Sequence, residues 1–493
     1  MKKAIIIGSG LGGLAVAIRL QSRGISTTIY EKNAMAGGHA YQFKEKGYTF
    51  DMGPSLITEI PIIERLFKQA GKPLKKYLKT TGLDPFYRVY FHDKSFIDYN
   101  GSEASMKEQI RKFNENDALN YDKFMKYASK LYKAVITDGL GSKPFISARD
   151  FLGFAPRAIA LRAILPAYNV AAGYFKDFRT RFLFSFHTLF IGGNPFRAPS
   201  LFLMLPYLEK TTGVHFSYGG MYSLVEAMVK VFKELGGKLV LNTPVEEILV
   251  RNKVAYGVKV KGEVEEADIV VSNAHFAHTY KDLIPEQKRS RFKNKAIMKK
   301  DYGMSCFLIY LGVKKQYTQL KHHTLILSER YKELITDIFD RKILADDFSM
   351  YLHAPTRTDP SMAPKGCDSL YVLIPTPNLA GNVNWNEETP IFTKKVLDFL
   401  QYKFGLEDLQ QNIEVQRTYS PADFARERNN YLGAAWSLEP KLTQIANFRP
   451  HNRSEEFKNL YLVGVSTHPG GGVPGVLLSA ETTEKLIIKD HKL

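Results

Sequence analysis

β-branched runs and glycine turns alternate at the start of the chain. Lys3–Ile7 is a short apolar run, a glycine cluster follows it, and Leu14–Leu20 continues with helix-like spacing. Ser26–Tyr30 is β-branched again and ends at Glu31. This succession predicts strand, glycine turn, helix and strand. The same character returns after Gly219 and Gly220, where Tyr222–Leu235 has the spacing of an amphipathic helix. Lys238–Leu241, Val245–Val250, Ala255–Val260 and Asp268–Ser272 then predict short strands. A last strand is expected at Asn459–Gly464, running into a glycine-rich loop and a helix near Val473–Ile488. Residues 1–84, 216–280 and 431–493 therefore make one dinucleotide-binding domain, an α/β Rossmann-like fold assembled from three chain segments. The intervening stretches, 85–215 and 281–430, are assigned to an inserted α+β substrate domain. No internal repeat or low-complexity tract interrupts them.

Composition narrows this picture. The chain has 493 residues, 44% hydrophobic and 24% charged, which fits a folded globular protein and excludes a disordered or fibrous one. Two cysteines, Cys306 and Cys367, allow neither a disulfide framework nor a cysteine-based metal site, and a reducing cytoplasm fits; no metal-binding residue is singled out elsewhere. The apolar stretch Ala4–Ile18 has its glycines in a nucleotide-binding pattern and no small-residue cleavage site after it, so the N-terminus reads as mature. No run of 18 uncharged apolar residues occurs, and no spanning helix is expected. The net charge of +18 admits nucleic acid, an anionic membrane surface or a solvated basic exterior. No nucleic-acid-binding signature accompanies it, and nucleic acid is set aside.

Gly8, Gly10 and Gly13 form G-x-G-x-x-G between the first strand and the first helix. The first glycine permits the tight turn, the second lets backbone approach a pyrophosphate, and the third permits close helix–strand packing. The helix N-terminus attracts the phosphate charge. Glu31 stands 18 residues after Gly13, where a carboxylate can accept from both ribose hydroxyls and would repel a 2′-phosphate. FAD or NAD is thus favoured over NADP. The loop Gly464–Gly475 carries four glycines within six residues, Gly470, Gly471, Gly472 and Gly475. Backbone packed against a flat ligand is the expected consequence, with a helix N-terminus aimed at it.

Gly37-Gly38-His39-Ala40 and Phe50-Asp51-Met52-Gly53-Pro54 resemble the second glycine pair and following acidic motif of amine-oxidase and desaturase flavoproteins. This resemblance makes FAD the expected cofactor, held by Gly8, Gly10, Gly12, Gly13, Glu31, Gly38, His39, Gly53, Val245, Gly464, Gly472 and Val473. An arginine commonly stands in that family where this chain has His39. The stretch Leu460–Gly475 resembles, more narrowly, the signature of bacterial-type phytoene desaturases. So do Ser185–Phe196, Tyr351-Leu352-His353-Ala354-Pro355 and Phe448–Arg453.

What this resemblance implies is FAD-dependent introduction of conjugated trans double bonds into phytoene or diapophytoene, with oxygen or a membrane quinone as electron acceptor. A C–H bond of a hydrocarbon offers no acidic proton, so the expected route is hydride transfer to flavin with loss of a proton from the neighbouring carbon. Asp150, which matches a family motif, is the first candidate proton acceptor, followed by His187 and His353. An arginine can follow that aspartate by three residues in related desaturases, whereas Gly153 stands here. A carotenoid oxidase or ketolase, a carotene isomerase, and a non-catalytic escort of prenylated lipids are the alternatives on this fold. The intact glycines and Glu31 argue against the last.

Phe175, Phe178, Phe182, Phe184, Phe186, Phe190, Phe196 and Phe202 fall within 28 residues and are expected to line an apolar tunnel. Arg157, Arg162, Lys176, Arg179 and Arg181 sit among the same apolar residues, as on an interfacial surface. Lys288–Lys300 adds seven basic residues and no acid. Peripheral attachment to the cytoplasmic face of the cell membrane is the resulting expectation.

Overall fold

A computed structural model of the chain describes residues 2–146, 150, 153 and 155–493. In it β1 (Lys3–Ile7), α1 (Leu11–Gln21) and β2 (Ser26–Tyr30) follow one another as expected. The strands Lys238–Val240, β2, β1, Ile269–Ser272 and Leu460–Leu462 lie side by side in that order, every neighbouring pair parallel. In chain order this is third, second, first, fourth, fifth, as in a doubly wound nucleotide fold. All three sequence segments contribute strands to this sheet.

Alternation along β1 shows why it is so apolar. Ala4 and Ile6 face a core shared with α1, Tyr222–Glu234 and Val473–His491. Ile5 and Ile7 face the opposite side, against Ile248, Val258 and Phe276. Both faces are covered, as parallel strands require. Each isoleucine so buried stabilises the fold by about 1.5–3 kcal/mol. The strands Val245–Arg251 and Val254–Val260 form where expected, but they pair antiparallel with Glu263–Glu266 in a separate sheet. All four residues of Glu263–Glu266 are exposed, so no apolar pattern announced that strand.

The second unit is built on a seven-stranded sheet. Its order is Ile413–Tyr419, Ser305–Val313, Asp368–Thr376, Met350–His353, His323–Ile326, Tyr87–Tyr90 and Phe96–Tyr99. Tyr87–Tyr90 comes from the first insertion and pairs in parallel with His323–Ile326 from the second, so the two insertions share one sheet. Helices including Glu115–Tyr132, Phe178–Ser185 and Leu205–Thr212 pack beside it, which makes the unit α+β. A small sheet of Ile57–Thr58, Val214–Ser217 and Thr80–Gly82 ties the first insertion back to the nucleotide-binding part.

Candidate functional site

One cavity of about 980 Å³ runs from the glycine turn of the nucleotide fold to the apolar walls of the second unit. Gly8, with φ of +89°, makes the turn after β1 in a region that favours glycine. Gly10 caps α1 without any side-chain hydrogen bond, so the first N–H groups of that helix are left for a ligand. Gly13 serves packing: a Cβ there would stand 2.3 Å from the Gly8 carbonyl oxygen. Gly12 would bring a Cβ to 3.2 Å from Gly464 Cα, and Gly38 one to 3.0 Å from Gly10 Cα. Backbone from three distant segments is thereby pressed together without intervening side chains.

Asn273 sits at the centre of this contact. Its Nδ2 donates to the Val463 carbonyl at 3.0 Å, and its Oδ1 occupies the space that a Cβ on Gly10 would enter, at 2.7 Å. Local pattern did not single it out; its position directly after the apolar run ending at Ser272 is the available signal.

Glu31 is buried at the end of β2. Its Oε2 accepts from the Ser9 backbone N–H and hydroxyl at 2.8 and 2.7 Å. Its Oε1 accepts from the Asn33 backbone and side-chain amides at 2.9 and 3.0 Å. Glu31 is thus a buried carboxylate at the end of β2 that would accept from a ribose diol. His39 does not carry a permanent charge: burial first, then nearby Arg428, depresses its pKa to about 4. Arg428 and Lys32 line the cavity at this end and supply the cationic character that the family arginine would bring.

At the other end Gly472, with φ of +83°, caps Val473–His491, again with no side-chain cap bond. Arg449 is buried beside this loop and donates to the carbonyls of Thr467 at 3.1 Å and Val465 at 2.6 Å. Burial lowers its pKa to about 10, so the guanidinium keeps its charge near neutrality. A helix N-terminus and a buried cation thus stand at the same glycine loop, and together they would favour a bound group that gains negative charge on reduction. His275, held neutral mainly by burial with its pKa near 3, lines the cavity with Nε2 unpartnered by protein. The open helix ends, the close glycine backbone and this orphaned nitrogen fit a long flat dinucleotide.

Of the expected cofactor residues, Gly8, Gly10, Gly12, Glu31, Gly38, His39, Gly53, Val245, Gly464, Gly472 and Val473 line the cavity, while Gly13 stands behind it. Three of the eight phenylalanines, Phe186, Phe190 and Phe202, face the cavity. The others pack elsewhere: Phe175 and Phe184 stack at 5.0 Å in the core, and Phe182 stacks on Tyr331 at 4.1 Å.

Each of the three candidate proton acceptors has partners of its own. Asp150 accepts from the Ile146 N–H at 3.2 Å, one residue beyond cavity-lining Phe145; its neighbours 147–149, 151 and 152 lie outside the described residues. His187 is buried behind the wall, with Nε2 3.0 Å from Glu209 Oε2. Glu209, which had no sequence signal, lines the cavity and also accepts from the Tyr87 hydroxyl at 2.6 Å. His353, on the same strand as cavity-lining Tyr351, packs against His322 and His323 at the start of the neighbouring strand.

The profile of the flavin containing amine oxidoreductase family matches residues 11–484. A lycopene-forming phytoene desaturase of Pseudescherichia vulneris is 42% identical over 99% of this chain and 100% of its own length. A 4,4'-diapophytoene desaturase of Methylomonas sp is 34% identical over 100% of this chain and 96% of its own. Among solved structures, a triple mutant of putrescine oxidase shares the fold with a TM-score of 0.65 at 13% identity, covering 99% of each chain. The chain belongs to the bacterial phytoene desaturase family of flavin-containing oxidoreductases, and its cofactor is FAD.

Proposed function

We propose that this chain desaturates a linear isoprenoid hydrocarbon of the phytoene or diapophytoene class at the cytoplasmic face of a membrane. The observation that carries this reading is the continuity of one cavity from the dinucleotide turn into walls of Phe186, Leu189, Phe190, Leu208, Tyr351 and Leu373. An amine substrate would call for polar groups there; a hydrocarbon calls for none.

Bound FAD supplies the acceptor for one hydrogen and two electrons in each desaturation. The neighbouring carbon must then lose a proton. Among the described residues Glu209 is the only carboxylate lining the cavity besides Glu31, which belongs to the ribose end. Glu209 therefore takes the proton, with His187 and Tyr87 fixing its orientation. Asp150, which accepts from Ile146 N–H one residue beyond cavity-lining Phe145, is the second candidate for this role. Apolar walls keep water away from the cation that forms as the hydride leaves.

Substrate access is read from the cavity's outer end. Ile159 and Phe448 line the cavity and are 62% and 48% exposed. Arg157 and Arg162 alternate with Ile159 and Ile164 along the sequence, which suits an interface with anionic headgroups. Among the described residues no helix is long and apolar enough to cross a membrane. Attachment is therefore peripheral in this reading, and a membrane quinone or oxygen reoxidises the cofactor.

Co-expression with a source of phytoene or of diapophytoene tests the proposal. Pigment from one strain and not the other also assigns the chain length.

A further inference from the structure

His322, His323 and His353 form a buried cluster outside the cavity. His323 and His353 are a directly opposed pair on neighbouring antiparallel strands, and His322 precedes the first of them. One ring nitrogen of each lies within 4.8 Å of the other two. His322 Nε2 and His353 Nε2 approach to 3.1 Å. His323 Nε2 is buried and has no hydrogen-bond partner. Among the described residues no carboxylate belongs to the cluster, and Phe216 covers it, 4.6 Å from His322 and 6.1 Å from His353 between ring centroids.

The outward nitrogens are arranged differently. His322 Nδ1 lies 2.6 Å from Thr358 Oγ1, and His323 Nδ1 lies 2.7 Å from the Tyr351 hydroxyl. If each Nδ1 carries the proton and donates it outward, both Nε2 lone pairs point inward. That is the tautomer and the outer-shell support found for histidines that bind metal. The ring spacing agrees. Imidazoles bound at 2.0–2.1 Å to one tetrahedral ion have centroids about 5 Å apart, and here the three separations are 4.5, 5.0 and 5.2 Å.

We propose that His322, His323 and His353 bind one zinc-type transition-metal ion through their Nε2 atoms, with water as the fourth ligand. Three imidazoles without thiolate or carboxylate suit zinc, copper or nickel. The ion closes the end of the His323–Ile326 and Met350–His353 strand pair. It also fixes Tyr351, whose hydroxyl holds both His323 and, at 2.5 Å, Ser55 Oγ. Ser55 and Tyr351 line the substrate cavity, so the metal is a clamp behind the cavity wall and takes no part in electron transfer.

The test uses the flavin-loaded chain purified without a polyhistidine tag and incubated with zinc chloride, followed by gel filtration and elemental analysis. About one zinc per flavin is expected, and cobalt chloride in its place should give the visible bands of a tetrahedral cobalt–imidazole site. His323→Gln, which leaves the other two histidines and the flavin site intact, should retain less than half of the wild-type zinc with unchanged flavin content. Should that substitution impair folding, His353→Asn serves as the second variant, read by zinc content per flavin in the folded fraction. Zinc well below one equivalent in the wild type, or equal zinc in wild type and in a folded variant, overturns the proposal. Zinc also raises the thermal midpoint of the wild type and not of the variant if the site is real.

Discussion

His187, behind the cavity wall, meets cavity-lining Glu209 at 3.0 Å, and the Tyr87 hydroxyl donates to the same carboxylate oxygen from 2.6 Å. No lysine or arginine pairs with this carboxylate among the described ion pairs. Its Oε2 is held in place by these two neighbours at the cavity, which is the positioning that removal of a proton from a carbocation requires.

Glu209→Gln should therefore slow desaturation by roughly 10²–10⁴-fold while flavin content stays normal. Product formed per flavin by the purified variant measures this. Tyr87→Phe removes one donor and should cost less. If Asp150→Asn proves slower than Glu209→Gln, the role passes to Asp150.

Gly13→Val should abolish FAD binding along with much of the stability, because its Cβ would stand 2.3 Å from the Gly8 carbonyl. Gly10→Val should lose flavin too, displacing Asn273 as well as the pyrophosphate. The milder Asn273→Ala should weaken FAD affinity without unfolding the chain. Flavin absorbance after reconstitution reads all three.

The nucleotide fold was legible because its signals are local: strand, glycine turn, helix and acidic strand end occupy the first 31 residues. Glu209 was not legible, since its partners stand 122 and 22 residues away and no spacing rule links them. The seven-stranded sheet was hidden for the same reason, being joined by a parallel pair between Tyr87–Tyr90 and His323–Ile326. The phenylalanine cluster signalled burial correctly, but apolarity alone does not tell a cavity wall from a packed core. His353 was singled out by its motif, yet its neighbours His322 and His323 come from another strand.

Arg449→Met should make the flavin harder to reduce, since it deletes a buried cation beside the C-terminal glycine loop. It also strands the carbonyls of Thr467 and Val465, at about 1–3 kcal/mol each. A lower flavin midpoint potential together with a lower melting temperature is the expected pair of results.

Acid should destabilise the protein between neutrality and about pH 4. His39 and His275 have pKa values depressed from 6.5 to about 4 and about 3, chiefly by burial. The unfolded chain binds more protons than the folded one below pH 6.5, so stability falls as pH falls through this window. Asp51 acts in the opposite sense: burial raises its pKa to about 6, and between 3.8 and 6 the folded state holds the extra proton. Two histidines outweigh one aspartate, so the melting temperature should be lower at pH 5 than at pH 7. An Asp51→Asn variant should show the steeper dependence.

Flotation with anionic liposomes should recover the protein, and added salt should release it, because surface attraction is screened over about 8 Å at physiological ionic strength. Replacing Ile159 and Phe448 by serine should reduce recovery without loss of flavin. Equal recovery with neutral and anionic vesicles would count against the basic surface.

Co-expression with a phytoene or diapophytoene source, read by pigment absorption and mass, tests the central claim most directly. The account predicts a coloured polyene, two hydrogens lighter per step and carrying no oxygen. Unchanged colourless substrate beside flavin-loaded protein, an isomer of equal mass, or an oxygenated product would contradict it.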